Sequence, residues 1–158
     1  MVAAAKKAAK GLVRDLGELE NLQVSRKGPA DYVSKADRRA EEILHTELRK
    51  ARPAYGFLME EAGAIDGTDT SNRWIIDPLD GTTNFLHGIP HFAISIGLER
   101  DSELFAGVIY SPVHDELYVA EKGGGAFLNG RRLRVSGRPK LDDALIATGI
   151  PFRGIPSH

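Results

Sequence analysis

The sequence contains no cysteine, and its first 22 positions lack an uninterrupted apolar run. Without cysteine, disulfides, thiol catalysis and thiolate metal sites are all excluded. Charged side chains interrupt the first 22 positions at Lys6, Lys7, Lys10, Arg14 and Asp15. We therefore expect neither a signal peptide nor a membrane span there, and a reducing, cytoplasmic setting is the simplest interpretation.

The sequence also lacks an excess of either charge, since 21 Lys and Arg residues stand against 22 Asp and Glu, for a net charge of −1. No general attraction to nucleic acid or to an anionic membrane is expected, and neither is predicted as a partner. The 27% of charged and 42% of hydrophobic residues are typical of a globular protein. A length of 158 residues suffices for one well-buried domain.

Two amphipathic helices are predicted at the start of the chain. Residues 3–22 are good helix formers with apolar side chains along one face. Residues 21–30 are predicted to form a loop. Ser34 is predicted to cap a second helix, which continues until Pro53 stops it.

After Pro53 the sequence becomes typical of strands. Short apolar runs and period-two alternation predict strands at residues 55–59, 73–76, 92–98, 103–110, 116–120 and 144–150. Asn129-Gly130 predicts a two-residue hairpin between residues 126–128 and 133–135. Two helices followed by a mainly antiparallel sheet define an α+β fold.

Two carboxylates, Asp77 and Asp80, directly follow the apolar run at residues 73–76. The segment Asp-Pro-x-Asp-Gly can be simply a turn in which Asp80 accepts local hydrogen bonds. However, two carboxylates about 4 Å apart repel by roughly 4 kcal/mol near a protein surface, so placing them together is costly without a cation. Hard oxygen ligands favour Mg²⁺, Mn²⁺ or Ca²⁺ over zinc.

A second acidic pair, Glu60-Glu61, follows the apolar run at residues 55–59. Adjacent glutamates often form only a solvated surface. Their position at a strand end matches that of Asp77, which favours convergence of the two acidic segments on one edge of the sheet. One glutamate would then face the metals, and the other would support it or meet solvent.

The step Gly81-Thr82-Thr83 offers groups that carboxylates cannot supply. Glycine lets a phosphate approach the backbone, and the free N–H groups of a helix start can bind its oxygens. A threonine hydroxyl can orient an attacking water. A plain helix N-cap is the structural alternative, and the two roles are compatible.

Taken together, these residues resemble the inositol monophosphatase family, the lithium-sensitive, magnesium-dependent phosphomonoesterases. Residues 74–85 are similar to the first family signature, and residues 31–37 are similar to its Asp-x-Val-Thr-x-x-Asp segment. Glu60-Glu61 is similar to its Gly-Glu-Glu, with Met59 in place of the glycine. The likeness covers nearly the whole chain.

The resemblance implies a role for each matching position. The implied metal ligands are Glu60, Asp77, the carbonyl of Leu79 and Asp80, for two or three Mg²⁺ ions, with Mn²⁺ as a possible substitute. The implied substrate-binding residues are Gly81, Thr82 and Asp80. Glu60 and Thr82 would orient the nucleophilic water, Asp37 would reach a weakly held metal through water, and Lys27 would lie on a mobile loop near the site.

The resemblance further implies that residues 1–158 form the N-terminal α+β part of an αβαβα sandwich. The second family signature, Trp-Asp-x-Ala-Ala-Gly, supplies a further metal-binding Asp and does not occur in the sequence. We therefore expect that the C-terminal α/β part is absent from this chain, and that the chain alone is poorly active. A homodimer is implied by analogy.

The expected function is magnesium-dependent hydrolysis of a small phosphate monoester, inositol monophosphate above others, by a metal-activated water. Two alternatives stay open. One is a related sugar, histidinol or nucleotide phosphatase of the same superfamily. The other is a regulatory protein that binds protein or RNA. The basic residues Arg131, Arg132, Arg134, Arg138 and Lys140 could bind such an anionic partner, but a solvated hairpin is favoured for them because no aromatic residues are interleaved.

Overall fold

A computed structural model describes residues 1–22 and 29–147 of the chain. Two long helices are followed by strands and one short helix: α1 (Val2–Leu22), α2 (Pro29–Ala51), β1 (Tyr55–Met59), β2 (Gly63–Ile65), β3 (Asp69–Asp80), α3 (Thr82–Leu86), β4 (Ala93–Arg100), β5 (Glu103–Ser111), β6 (Glu116–Glu121), β7 (Gly125–Leu128) and β8 (Arg131–Arg132). A single 3₁₀ turn, Leu141–Asp143, follows. The predicted order of two helices and then a sheet is confirmed.

The strands form one eight-stranded sheet in the order β2-β1-β3-β4-β5-β6-β7-β8. Every neighbouring pair is antiparallel except β1 and β3, which run parallel. The predicted mainly antiparallel sheet, and with it the α+β class, is confirmed. The parallel pair matters most for function, because it brings the ends of β1 and β3 to the same edge of the sheet.

The two long helices cover one face of this sheet. In β4 the side chains of Ile94, Ile96 and Leu98 are buried on that face, as period-two alternation requires. The helices meet through small and branched residues spaced three or four apart: Ala5, Ala8 and Leu12 in α1, and Ala36, Ala40, Leu44 and Leu48 in α2. On the opposite face Leu104 and Ile109 are 69% and 49% exposed.

The second helix begins earlier than its sequence predicts. Pro29 starts α2 and Leu22 ends α1, so the loop expected over residues 21–30 is wrong at both of its ends. Ser34 lies inside α2, and its prediction as the N-cap is also wrong. Proline favours this start because its fixed φ suits the first helical turn, where its missing N–H costs nothing.

The later elements match the sequence prediction with three differences. The hairpin at Asn129-Gly130 is confirmed, with φ of 47° and 78° at its two turn residues. Its second strand is Arg131–Arg132, so the strand predicted at residues 133–135 is wrong. The short edge strand β2 was not predicted. Residues 144–147 form no strand, so the prediction for 144–150 is wrong over its described part, while residues 148–150 lie outside the described residues. No helix in the described ranges is long and apolar enough to cross a membrane.

Candidate active site

The two aspartates of the Asp-Pro-Leu-Asp segment lie on β3 at a β-bulge. Asp77 pairs with Ser95 and Asp80 pairs with Ala93, so one extra residue is inserted between them. Pro78 has no N–H to continue the strand ladder, and the N–H of Leu79 donates to Oδ1 of Asp77 at 3.1 Å. In a regular strand, residues three apart point to opposite faces. The inserted residue therefore brings Asp77 and Asp80 to the same face.

Glu60 comes next to Asp77 across the parallel pair of strands. Met59 is in register with Ile76, and the N–H of Glu60 donates to the carbonyl of Ile76 at 3.2 Å. The carboxyl groups of Glu60 and Asp77 are hydrogen-bonded to each other. The sequence-based expectation that the acidic ends of two strands converge on one edge is thus matched by their positions.

Helix α2 adds Asp37 to these acids. Asp37 is 3% exposed, and its Oδ1 is buried with no hydrogen-bond partner among the described residues. Burial first, and then the negative charges of Glu61, Glu60 and Asp77, raise the pKa of Asp37 to about 7. Asp37 therefore lies within the same electrostatic cluster.

The same crowding acts on the other two carboxyl groups. Burial, followed by the charge of Asp77 and a hydrogen bond to it, raises the pKa of Glu60 to about 7. Burial also raises the pKa of Asp77. The negative charge of Glu61 is partly offset by Arg38, whose Nε lies 3.6 Å from the Glu61 carboxylate. Burial and mutual repulsion therefore disfavour the state in which all the carboxyl groups of this cluster are ionised.

The short helix α3 begins immediately after Asp80. Gly81 precedes it with φ of 95°, and within the part of the chain that the structure describes no side chain caps its first N–H groups. The helix is anchored in the core, because Phe85 is fully buried and packs edge-on against Phe92 with ring centroids 5.0 Å apart. The side chain of Asn84 donates to the carbonyl of His91 at 2.7 Å. The uncapped helix start therefore has a fixed place beside the carboxylates.

Thr82 connects this helix start to the bulge. Its hydroxyl donates to the carbonyl of Leu79 at 2.9 Å, and the Leu79 side chain is fully buried below. A carbonyl oxygen has two lone pairs, so the bond from Thr82 leaves one of them for another partner. Lys27 lies outside the described residues.

A cavity of about 590 Å³ opens beside Asp80 and Gly81. The cavity is also lined by β5, β6 and the turn between them, through the polar side chains Ser111, His114, Glu116 and Tyr118. No sequence motif pointed to these residues. Periodicity predicted the strands β5 and β6, but it could not show that strands three and four places from β1 in the sheet order would line the same cavity.

The donor set fits a hard divalent cation by its chemistry, because it consists of carboxylate and carbonyl oxygens and includes the unpartnered, buried Oδ1 of Asp37. Across residues 1–22 and 29–147, however, no three His, Asp or Glu side chains close around one point as a ligand set. The raised pKa values of Glu60 and Asp77 reflect burial and the charge repulsion that a cation at this place would neutralise.

These raised pKa values predict a pH dependence of stability in metal-free protein. Asp37 and Glu60 hold protons in the folded state up to about pH 7, whereas the unfolded chain releases them near 3.8 and 4.5. Their contribution to stability is therefore complete below those ordinary values and is lost as pH rises through about 7. In EDTA we expect the contribution of these two groups to the melting temperature to fall between about pH 4 and pH 7 and to level off above pH 7, where Mg²⁺ should raise the melting temperature most.

Thermal melts of wild type and Asp37→Asn test this expectation. His45 acts in the opposite direction, because burial lowers its pKa, so the difference between the two proteins isolates the acid cluster. Asp37→Asn should flatten the decline. Parallel melting curves for the two proteins over this pH range would contradict the prediction.

Comparison with known proteins agrees with this geometry. A family model described as the inositol monophosphatase family matches residues 1–155. The chain belongs to this family. An inositol-1-monophosphatase of Mesorhizobium japonicum is 65% identical over 158 residues, which are all of this chain and 59% of that protein.

Two further relatives carry different names. The Nus factor SuhB of Pseudomonas aeruginosa is 47% identical over 152 residues, which are 95% of this chain and 56% of that protein. The crystal structure of the extragenic suppressor protein suhB from Bartonella henselae superposes with a TM-score of 0.85 at 64% identity, covering 96% of this chain and 59% of that one. The chain thus spans less than two thirds of the length of these relatives.

Proposed function

We propose that the whole protein containing this chain hydrolyses a small phosphate monoester in the presence of Mg²⁺, with inositol monophosphate as the favoured substrate. The observation that carries this proposal is the meeting of Glu60, Asp77 and Asp80 with the uncapped start of α3 at one edge of the sheet. The name of the Mesorhizobium japonicum relative supports the choice of substrate.

Each residue has a distinct part in this proposal. Glu60, Asp77, Asp80 and the Leu79 carbonyl would hold two or three Mg²⁺ ions, or Mn²⁺ in their place. The N–H groups of Gly81 and Thr82 would bind the phosphate oxygens. Glu60 and the Thr82 hydroxyl would orient the attacking water, with Asp37 at the outer side of the cluster. The ions, when bound, would neutralise phosphate charge and acidify water.

Phosphate release from inositol 1-phosphate tests the proposal. We expect turnover by the whole protein that requires Mg²⁺ and stops when EDTA removes it. The 158-residue chain alone should turn over poorly, because residues 1–158 are proposed to be only the N-terminal part of the catalytic domain. Metal-independent release by the whole protein would contradict the mechanism, and robust release by the chain alone would contradict the division.

Other phosphate esters are the first alternative, since the residues that select the alcohol are proposed to lie mostly beyond His158. The same assay on fructose bisphosphate, histidinol phosphate and a phosphoadenosine nucleotide separates these substrates. A higher kcat/KM for any of them than for inositol 1-phosphate would change the substrate and leave the metal chemistry in place.

A regulatory role is the second candidate, favoured by the name Nus factor for several relatives. In this chain the basic residues Arg131, Arg132, Arg134, Arg138 and Lys140 are all exposed. Binding of RNA or protein by these residues should survive Asp77→Asn, so a pull-down with that variant separates the two roles. A homodimer is proposed by analogy, and the molar mass in solution tests it.

A further inference from the structure

We propose that Glu41 is a positioning residue that holds Glu60 in place for metal binding, an inference that rests on the proposed function. Glu41 lies on α2 and is 5% exposed. Its Oε2 accepts the N–H of Glu61 at 2.9 Å, and its Oε1 accepts the N–H of Ala62 at 3.1 Å. Each carboxylate oxygen thus binds one of two consecutive backbone N–H groups.

These two N–H groups belong to the turn that carries Glu60. Met59 pairs with Gly63, so residues 60–62 alone connect β1 to β2. The N–H of Glu60 is fixed by the carbonyl of Ile76, and Glu41 fixes the two residues that follow. The backbone on both sides of the Glu60 side chain is therefore tied, once to the sheet and once to the helix.

Glu41 also links the turn to the other acid of the cluster. Asp37 and Glu41 are four residues apart on α2, so they lie on one face of the helix. Any shift of α2 relative to the turn would change the separation between Asp37 and Glu60. A rigid connection matters here, because the Glu60 side chain has three rotatable bonds to restrict when it takes a ligand.

A second reason to assign Glu41 this role is that a carboxylate at this position is electrostatically unfavourable. Its charge faces an already acidic cluster and contributes to raising the pKa of Asp37. A neutral residue in its place would relieve that repulsion. A buried carboxylate nevertheless makes stronger bonds to backbone N–H groups than a neutral acceptor does, and it accepts at both oxygens. Glutamine would turn one of these acceptors into a donor that faces an N–H.

The test measures Mn²⁺ affinity of the whole protein from the electron paramagnetic resonance signal of the free ion. Glu41→Gln should weaken binding by about tenfold or more, as loss of a residue that orients a metal ligand does. Glu42→Gln is the matched control, because Glu42 neighbours Glu41 on α2 and is exposed. It should leave the affinity unchanged. Glu41→Asp, which keeps the charge on a shorter side chain, should lie between the two and remains available if Glu41→Gln fails to fold.

A double variant separates positioning from a general loss of stability. If Glu41 acts through Glu60, Glu41→Gln should add no further loss of Mn²⁺ affinity once Glu60 is replaced by glutamine. At saturating Mn²⁺, kcat of Glu41→Gln should return towards wild type. Two results would overturn the role of Glu41 and leave the proposed function intact. One is a double variant whose loss of Mn²⁺ affinity equals the product of the two single losses, and the other is an unchanged Mn²⁺ affinity in Glu41→Gln. A wild-type protein that binds no Mn²⁺ would overturn the proposed function along with it.

Discussion

Asp77→Asn is expected to lower Mg²⁺-dependent phosphate release by the whole protein by about a hundredfold to a thousandfold, the range seen when one main electrostatic group of an active site is removed. Asparagine has the shape of aspartate and can still accept the N–H of Leu79 at its side-chain oxygen, so the bulge should persist. The substitution removes the negative charge of Asp77, next to the carboxyl groups of Glu60 and Asp80. The change therefore removes a ligand for the cation and leaves the fold in place.

The measurement is kcat/KM for inositol 1-phosphate at several Mg²⁺ concentrations, together with a thermal melt in EDTA. Asp101→Asn is the control, because Asp101 is an exposed turn residue at the other end of β4 with φ of 51°, a conformation that asparagine tolerates. It should leave activity unchanged. Activity of Asp77→Asn near wild type at saturating Mg²⁺ would remove Asp77 from the metal site.

The site residues could be predicted from sequence because strand ends are easy to recognise. The apolar run before Glu60 marks the end of β1, and the run before Asp77 marks the last part of β3, which continues to Asp80. Because these two strands run parallel, their carboxyl ends lie at a common edge of the sheet. The parallel pairing itself was not predictable from periodicity, which indicates a strand but gives no direction or neighbour. The resemblance to a family supplied what the pattern could not.

The bulge between Asp77 and Asp80 shows a second limit. Counting by twos along β3 places these residues on opposite faces, and only the inserted residue beside Pro78 reverses that result. Proline in a strand signals an irregularity without stating its register consequence. The sequence therefore predicted a set of candidate residues, while the face that two of them share depends on one unpaired position.

The role of Glu41 could not be predicted from the sequence for a different reason. A glutamate within a charged helical segment such as Asp37-Arg38-Arg39-Ala40-Glu41-Glu42 is typical of a solvated face. Its burial is decided by the β1–β2 turn that packs over α2, and this turn leads into the edge strand β2, which was not predicted. Residues that act through long-range contacts are hidden wherever the contacting element is itself missed.

Gly81→Ala is expected to reduce kcat/KM by about a hundredfold, the cost of misplacing a reacting group by roughly 1 Å. Gly81 has φ of 95°, and a β-carbon there would lie 3.0 Å from the carbonyl oxygen of His91 and 3.2 Å from Cα and Cβ of Phe92. Two of these three atoms are backbone. Relief of the contact must therefore move the start of α3 or the entry into β4, and with it the proposed phosphate-binding N–H groups.

Gly88→Ala is the matched control for backbone strain. Gly88 also has a positive φ, 69°, but a β-carbon there meets nothing within 4 Å. Both variants should lose about 1–2 kcal/mol of stability from the left-handed backbone, and only Gly81→Ala should also lose phosphate affinity. Competitive inhibition by inorganic phosphate measures that affinity. Equal inhibition constants in the two variants would show that phosphate is held elsewhere, since the strain is common to both and only the displacement of α3 differs.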